Sequence, residues 1–178
     1  MQIEPIPLAG ACLIQMPSSQ DARGKFVKSF HESLLGDAGI SFTLRESYFS
    51  FSKKDVIRGM HFQLPPHQHS KIVFCPVGAI LDVIVDLRKG TATYGQYFAH
   101  ELSAGNNKAC YIPEGFAHGF KALTDDALTY YLVSSVYNSA HDTGLRYDSI
   151  EFDWGVAAPV LSARDLSFGT LAAFDSPF

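Results

Sequence analysis

SKIVFCPVGAILDVIVDLR, residues 70–88, is a strand-like run rich in Val and Ile, punctuated at Gly78. Such residues fit a pleated, half-buried surface better than a helix. Similar runs lie on both sides of it: SFTLRESYFSFS (41–52), YGQYFAHEL (94–102), KACYIP (108–113), GFKALT (119–124) and ALTYYLVSSVY (127–137). Several alternate apolar with polar residues, and Gly90, Gly105, Gly115 and the pair Asp125-Asp126 separate them. Many short strands between turn signals predict an all-β sandwich or barrel. Helical signal is sparse: a short helix over 31–38 (HESLLGDA) and one turn within 161–167. No linker interrupts the pattern, so the expectation is one domain over 1–178 with an irregular tail from about residue 145.

The 178 residues suffice for a substantial core, and 47% hydrophobic with 18% charged residues suits a compact chain. A net charge of -4 argues against nucleic acid or an anionic membrane as partner. Cys12, Cys75 and Cys110 are odd in number and show no C-x-x-C spacing, which points to a reducing cytoplasmic setting rather than a disulfide or zinc framework. No run approaches the ~20 apolar residues of a membrane span, and no secretory leader is read at the N-terminus.

A barrel interior is either filled or used. Its candidates here include His61, Lys71, His118 and Tyr131, which must be hydrogen-bonded or given a task. That favours a ligand cavity. In VIRGMHFQ (56–63), Arg58 and His61 lie three apart, on opposite faces of a regular strand unless a bulge at Gly59 reorients them. Arg58 suits a phosphate and His61 suits proton abstraction near neutral pH. The plainer reading is a surface arginine and a satisfied core histidine. In IPEGFAHGF (112–120), His118 follows a turn; it is either a site residue or a buried structural one. In TYYLVSSVY (129–137), Tyr131 and Tyr137 are placed on one strand face, where aromatics most often pack. In LSARD (161–165), Asp165 either orients a histidine or caps a short helix.

These segments, taken in order with DARGKF (21–26), DVIVDLRKGTATYGQ (82–96) and LSAGN (102–106), resemble the dTDP-4-dehydrorhamnose 3,5-epimerase family of the cupin superfamily. The resemblance runs from about residue 21 to 165 and implies a cupin-like jelly-roll barrel with a few short helices. It implies a cofactor-independent epimerase that inverts C3, C5 or both in a nucleoside-diphosphate 4-keto-6-deoxyhexose, in deoxysugar or surface-polysaccharide biosynthesis. It assigns His61 as base, Asp165 as its partner, Lys71 beside the sugar O4 and Tyr131 as acid on the opposite face. It places Arg23, Arg58, His118, Tyr137 and Arg164 against substrate, with Glu46 and Tyr48 on the nucleotide side. It also implies a homodimer that exchanges N-terminal strands, so that Arg23 reaches the neighbouring site. No metal is expected.

The chemistry suits these residue types. A C–H beside a ketone is acidic because the anion delocalises onto oxygen, and a cation there stabilises it. A carboxylate fixes the tautomer of a histidine base. Inversion needs removal on one face and return on the other. Several nucleotide-side positions depart from the family pattern: Lys28 for glutamate, Glu46-Ser47-Tyr48 for Gln-x-Asn, Phe74 for arginine and Leu132 for lysine. The base and the final sugar are therefore left open. Two competitors remain. One is a metal-dependent cupin using His67, His69 and His118, whose usual glutamate is missing from positions 72–75. The other is a binding protein without catalysis on the same fold.

Overall fold

The computed structural model describes residues 2–178. Its strands, in chain order, are β1 (Gln2–Pro5), β2 (Cys12–Gln15), β3 (Ser18–Asp21), β4 (Gly24–Val27), β5 (Glu46–Ser52), β6 (Ile57–Gln63), β7 (Lys71–Val77), β8 (Ala79–Asp86), β9 (Tyr97–Ser103), β10 (Lys108–Ile112), β11 (Phe116–Ala122), β12 (Ala127–Val133) and β13 (Asp142–Gly144). Two short α-helices, α1 (Glu32–Asp37) and α2 (Ala163–Ser167), interrupt the β pattern.

Six strands form one antiparallel sheet in the order β1-β2-β10-β7-β12-β5, and five form another in the order β13-β6-β11-β8-β9. The β3–β4 hairpin stands apart. Two facing antiparallel sheets with crossed connections make the expected all-β, cupin-like jelly roll.

The run 70–88 reads as nearly continuous hydrophobicity because both of its faces are covered. On β7, Val73 and Cys75 face the space between the sheets, while Ile72 and Phe74 face a second cluster behind the six-stranded sheet. On β8, Ile80 and Ile84 face inward, while Val83 and Val85 join a third cluster behind the five-stranded sheet. The segment containing Leu35, Ile40 and Phe42 covers the first sheet's back. The C-terminal region, through Leu145, Ile150, Trp154, Leu161 and Phe174, covers the second.

Several boundaries differ from the sequence expectation. Residues 41–45 form no strand, because Phe42 turns onto the sheet's back beside Phe30 and Tyr111. The strand expected at 94–102 starts at Tyr97, after a turn whose Gly95 has φ +76°. The run 127–137 leaves the sheet after Val133. Tyr137 therefore does not share a strand face with Tyr131; it is a loop residue, 62% exposed. The tail from 145 carries α2 and two single 3-10 turns, Tyr147–Ser149 and Leu171–Ala173.

Candidate active site

The site depends on one irregularity. β6 and β11 pair His61 with His118 and Arg58 with Phe120, so three steps on β6 match two on β11. The extra residue is a bulge at Gly59 and Met60, and it puts Arg58 and His61 on the same inner face. Glycine is needed there: Gly59 has φ +147°, and a Cβ on it would meet the Gly119 Cα at 2.5 Å. The RGM and HGF segments thus meet glycine to glycine, which aims both histidines inward.

His61 Nε2 lies 2.8 Å from Asp165 Oδ1. Asp165 sits on α2, where the Ser162 hydroxyl caps the helix by accepting from its backbone N–H at 3.0 Å. Its second oxygen accepts from Gly59 N–H at 3.3 Å. Burial works against the Asp165 charge, yet the His61, Gly59 and Ser162 bonds hold its carboxyl below the usual range. Asp165 therefore orients the histidine, and Ser162 does the capping. With the Nε2–H of His61 donated to the Asp165 carboxylate, Nδ1 is the accepting atom of His61.

Lys71 begins β7 on the opposite sheet, 5% exposed, and donates to the His61 carbonyl at 3.1 Å. Burial lowers its ammonium to about 8, against the pull of Asp142 and Asp82. Tyr131 on β12 belongs to the core cluster between the sheets and is not itself in the wall of the site cavity. It stacks on Tyr48 at 4.7 Å between ring centroids and meets the His118 ring edge-on at 5.9 Å. Burial, with Tyr48 and Asp82 nearby, pushes its phenol well above the usual range, so it stays protonated.

The cavity holds about 290 Å³ and is lined by Glu46, Tyr48, His61, Lys71, Tyr137 and Arg164, together with Gln63, His69 and Asp142. Arg164 pairs with Asp142 at 2.6 Å. Glu46 accepts from the Tyr137 backbone N–H at 2.7 Å. Arg58 lies beside this cavity, bonded to Ser52 Oγ at 3.0 Å and the Phe51 carbonyl at 3.2 Å. His118 does not line the wall; it is buried beneath, with Nε2 2.6 Å from Asp82 Oδ1. Arg23 is brought to none of these residues. It is exposed at the β3–β4 tip and bonded to Asp21 at 2.6 Å.

The histidines of the metal-cupin reading take separate partners. His67 meets Asn138 at 3.2 Å, His69 meets Gln63 at 3.0 Å, and His118 meets Asp82. Sequence reasoning gave no role to Gln63 or Asp142. Gln63 donates to the His67 carbonyl at 2.8 Å and accepts from Asn138 N–H at 2.6 Å, holding the 134–141 loop at the pocket mouth. It ends the RGMHFQ segment, which was a usable signal; Asp142 stands in no comparable pattern.

The departures from the family pattern divide in two. Glu46 and Tyr48 are in the pocket. Phe74 and Leu132 are on the back of the six-stranded sheet with Tyr130, and Lys28 follows the hairpin.

The model of the family described as dTDP-4-dehydrorhamnose 3,5-epimerase matches residues 5–173. A Shigella flexneri dTDP-4-dehydrorhamnose 3,5-epimerase is 39% identical over 150 residues, 83% of each chain. A Streptomyces niveus dTDP-4-dehydrorhamnose 3-epimerase is 35% identical over 168 residues, 93% of this chain and 81% of that one. The crystal structure of a Legionella pneumophila dTDP-6-deoxy-D-glucose-3,5-epimerase with dTDP-4-keto-L-rhamnose superposes with a TM-score of 0.93 at 31% identity, covering 98% of this chain and 94% of that one. With its fold and sequence both of one kind, the chain belongs to the dTDP-4-dehydrorhamnose 3,5-epimerase family.

Proposed function

We propose that this epimerase inverts C3, C5 or both in a nucleoside-diphosphate 4-keto-6-deoxyhexose, with His61 as base, Lys71 as enolate stabiliser and Tyr131 as acid. The observation that carries this is the convergence of an Asp165-oriented histidine and a buried ammonium on one cavity. His61 Nδ1 removes the proton beside the ketone, and Asp165 stabilises the imidazolium that forms. Lys71 faces the oxygen on which charge develops, and its buried setting strengthens that attraction. Tyr131 comes from the sheet opposite His61, which supports delivery of the new proton to the other face of the ring. The step is a proton exchange with no net redox change, so the residues present supply all of its chemistry.

A cavity of about 290 Å³ suits the hexose but not a whole nucleotide sugar. The diphosphate then lies toward the mouth, where Arg58 and Arg164 offer guanidinium groups. Glu46 and Tyr48 face the nucleotide side. Incubation with dTDP-, UDP-, CDP- and GDP-4-keto-6-deoxyglucose in D2O, followed by proton NMR, tests the reading. Deuterium at C3 or C5 with inverted product is expected from one of them; no incorporation from any would refute it.

The same proposal includes a cytoplasmic homodimer that exchanges N-terminal strands around one domain per chain. Three free, buried cysteines suit a reducing compartment. No helix among the described residues is long and apolar enough to cross a membrane. Phe26, Phe49, Phe51 and Val77 are 63%, 57%, 55% and 49% exposed, and Phe49 and Phe51 lie side by side, apolar surface suited to a second copy. Arg23 then serves the partner's site. Mixing Arg23→Ala with His61→Ala subunits should restore activity; a monomer in sedimentation, or mixtures no better than either parent, would defeat the exchange.

A further inference from the structure

Beneath the pocket lies a cluster that the proposed reaction does not use. Asp82 on β8 and His100 on β9 are cross-strand partners in the five-stranded sheet, and Cys110 comes from β10 on the other sheet. One donor atom from each lies within 4.8 Å of the other two. Asp82 and Cys110 are wholly buried, and the His100 side chain is 8% exposed. Asp82 Oδ1 is taken by His118 at 2.6 Å, while Oδ2 has no hydrogen-bond partner. Neither ring nitrogen of His100 has one, although Nε2 stands 3.5 Å from Asp82 Oδ2. Cys110 Sγ makes only a long contact to the Tyr111 carbonyl at 3.9 Å. Buried polar groups left without partners are costly, and here they converge.

We propose that Asp82, His100 and Cys110 form a buried site for a borderline-soft divalent cation, zinc being the fitting ion. Thiolate, imidazole and carboxylate are the donors zinc prefers. Tetrahedral bonds of ordinary length bring such donors to about 3.3–3.8 Å from one another, a small contraction of the cluster. On binding, the Cys110 S–H proton leaves to solvent, and Zn²⁺ with one thiolate, one carboxylate and neutral imidazole gives a site without net charge. The ion ties edge strand β9 to the six-stranded sheet, so its effect is on stability. The site is distinct from His67, His69 and His118 of the metal-cupin reading, and it stands independently of the substrate.

The test strips full-length protein with a chelator and titrates it with cobalt, then zinc. One equivalent of cobalt should give a thiolate-to-cobalt charge-transfer band, which zinc abolishes. Zinc at about a hundredfold excess over its Kd should raise Tm by roughly 5–10 °C. Cys110→Ser and His100→Leu should remove the band and weaken zinc at least about tenfold, while epimerase turnover persists. His67→Asn should change neither. If the variants fail to fold, alkylation mapping of the wild type in urea just below its unfolding transition, where buried thiols become reachable, decides: zinc should slow modification of Cys110 more than that of Cys12 and Cys75. Binding without a thiolate band, unchanged affinity in Cys110→Ser, or no protection of Cys110 would overturn the site.

Discussion

Two histidines on the neighbouring strands β6 and β11 each pair with an aspartate, and the two pairs are not equivalent. His61–Asp165 opens to the cavity, with side chains 29% and 5% exposed; His118–Asp82 is sealed, at 3% and 0%. In the first, Asp165 is fully engaged by His61 and Gly59 N–H, leaving His61 Nδ1 for chemistry. In the second, Asp82 is shared between His118 and His100, with one oxygen unmatched. Burial drives the His118 pKa down despite Asp82 beside it. The same pair of residue types is thus a candidate base where the cavity reaches it and a candidate structural element where the cavity does not. Access, not pairing, separates the roles.

The contrast can be broken at the open pair first. His61→Asn should lower turnover by about 10²–10⁴-fold while nucleotide affinity stays near wild type; steady-state kinetics with calorimetric binding checks both. Lys71→Met should cost roughly 10²–10³-fold, as for loss of a donor at a developing oxyanion. The wild-type rate should also fall as pH rises through about 8, because the ammonium is the stabilising form and burial lowers its pKa to that value. Lys71→Arg should be a poor enzyme whose residual rate lacks that alkaline limb. Asp165→Asn should cost up to about 10⁴-fold, because an amide in its place leaves the imidazole in the wrong tautomer. At the sealed pair, Asp82→Asn should lower stability by about 1–3 kcal/mol in urea unfolding, yet reduce turnover far less than Asp165→Asn does. The reverse ranking of the two aspartates would dissolve the distinction.

Much of this was legible in the sequence, for identifiable reasons. The run 70–88 carries a strand pattern strong enough to survive burial on both faces, so an all-β sandwich or barrel followed from it, while the jelly-roll form came from the family resemblance. The segments of His61, Lys71 and Asp165 could be picked out by their distinctive order, and a bulge at Gly59 was legible only as the condition for Arg58 and His61 to share a face. Tyr137 was misplaced because aromatic alternation continues past Val133, where pairing has already ended. Strands β1 to β4 escaped residue-level reading because they are short, and β3 and β4 are largely exposed, with little apolar periodicity to mark them. The Asp82–His100–Cys110 cluster was invisible for another reason. Its members are widely spaced in sequence and meet only through strand register and sheet closure.

The central claim is that protons leave from the His61 side and return from the Tyr131 side. Tyr131→Phe keeps the stack on Tyr48 and the contact with His118 while removing the phenolic donor. Following the active 4-keto sugar nucleotide in D2O by proton NMR reads exchange and inversion in one experiment. Tyr131→Phe should still incorporate deuterium, with configuration retained as His61 returns the proton to the face it left, while inverted product falls far more than exchange. If Tyr131→Phe inverts at nearly the wild-type rate and Tyr137→Phe shows the uncoupling instead, Tyr131 is a packing residue and the two-sided account is contradicted.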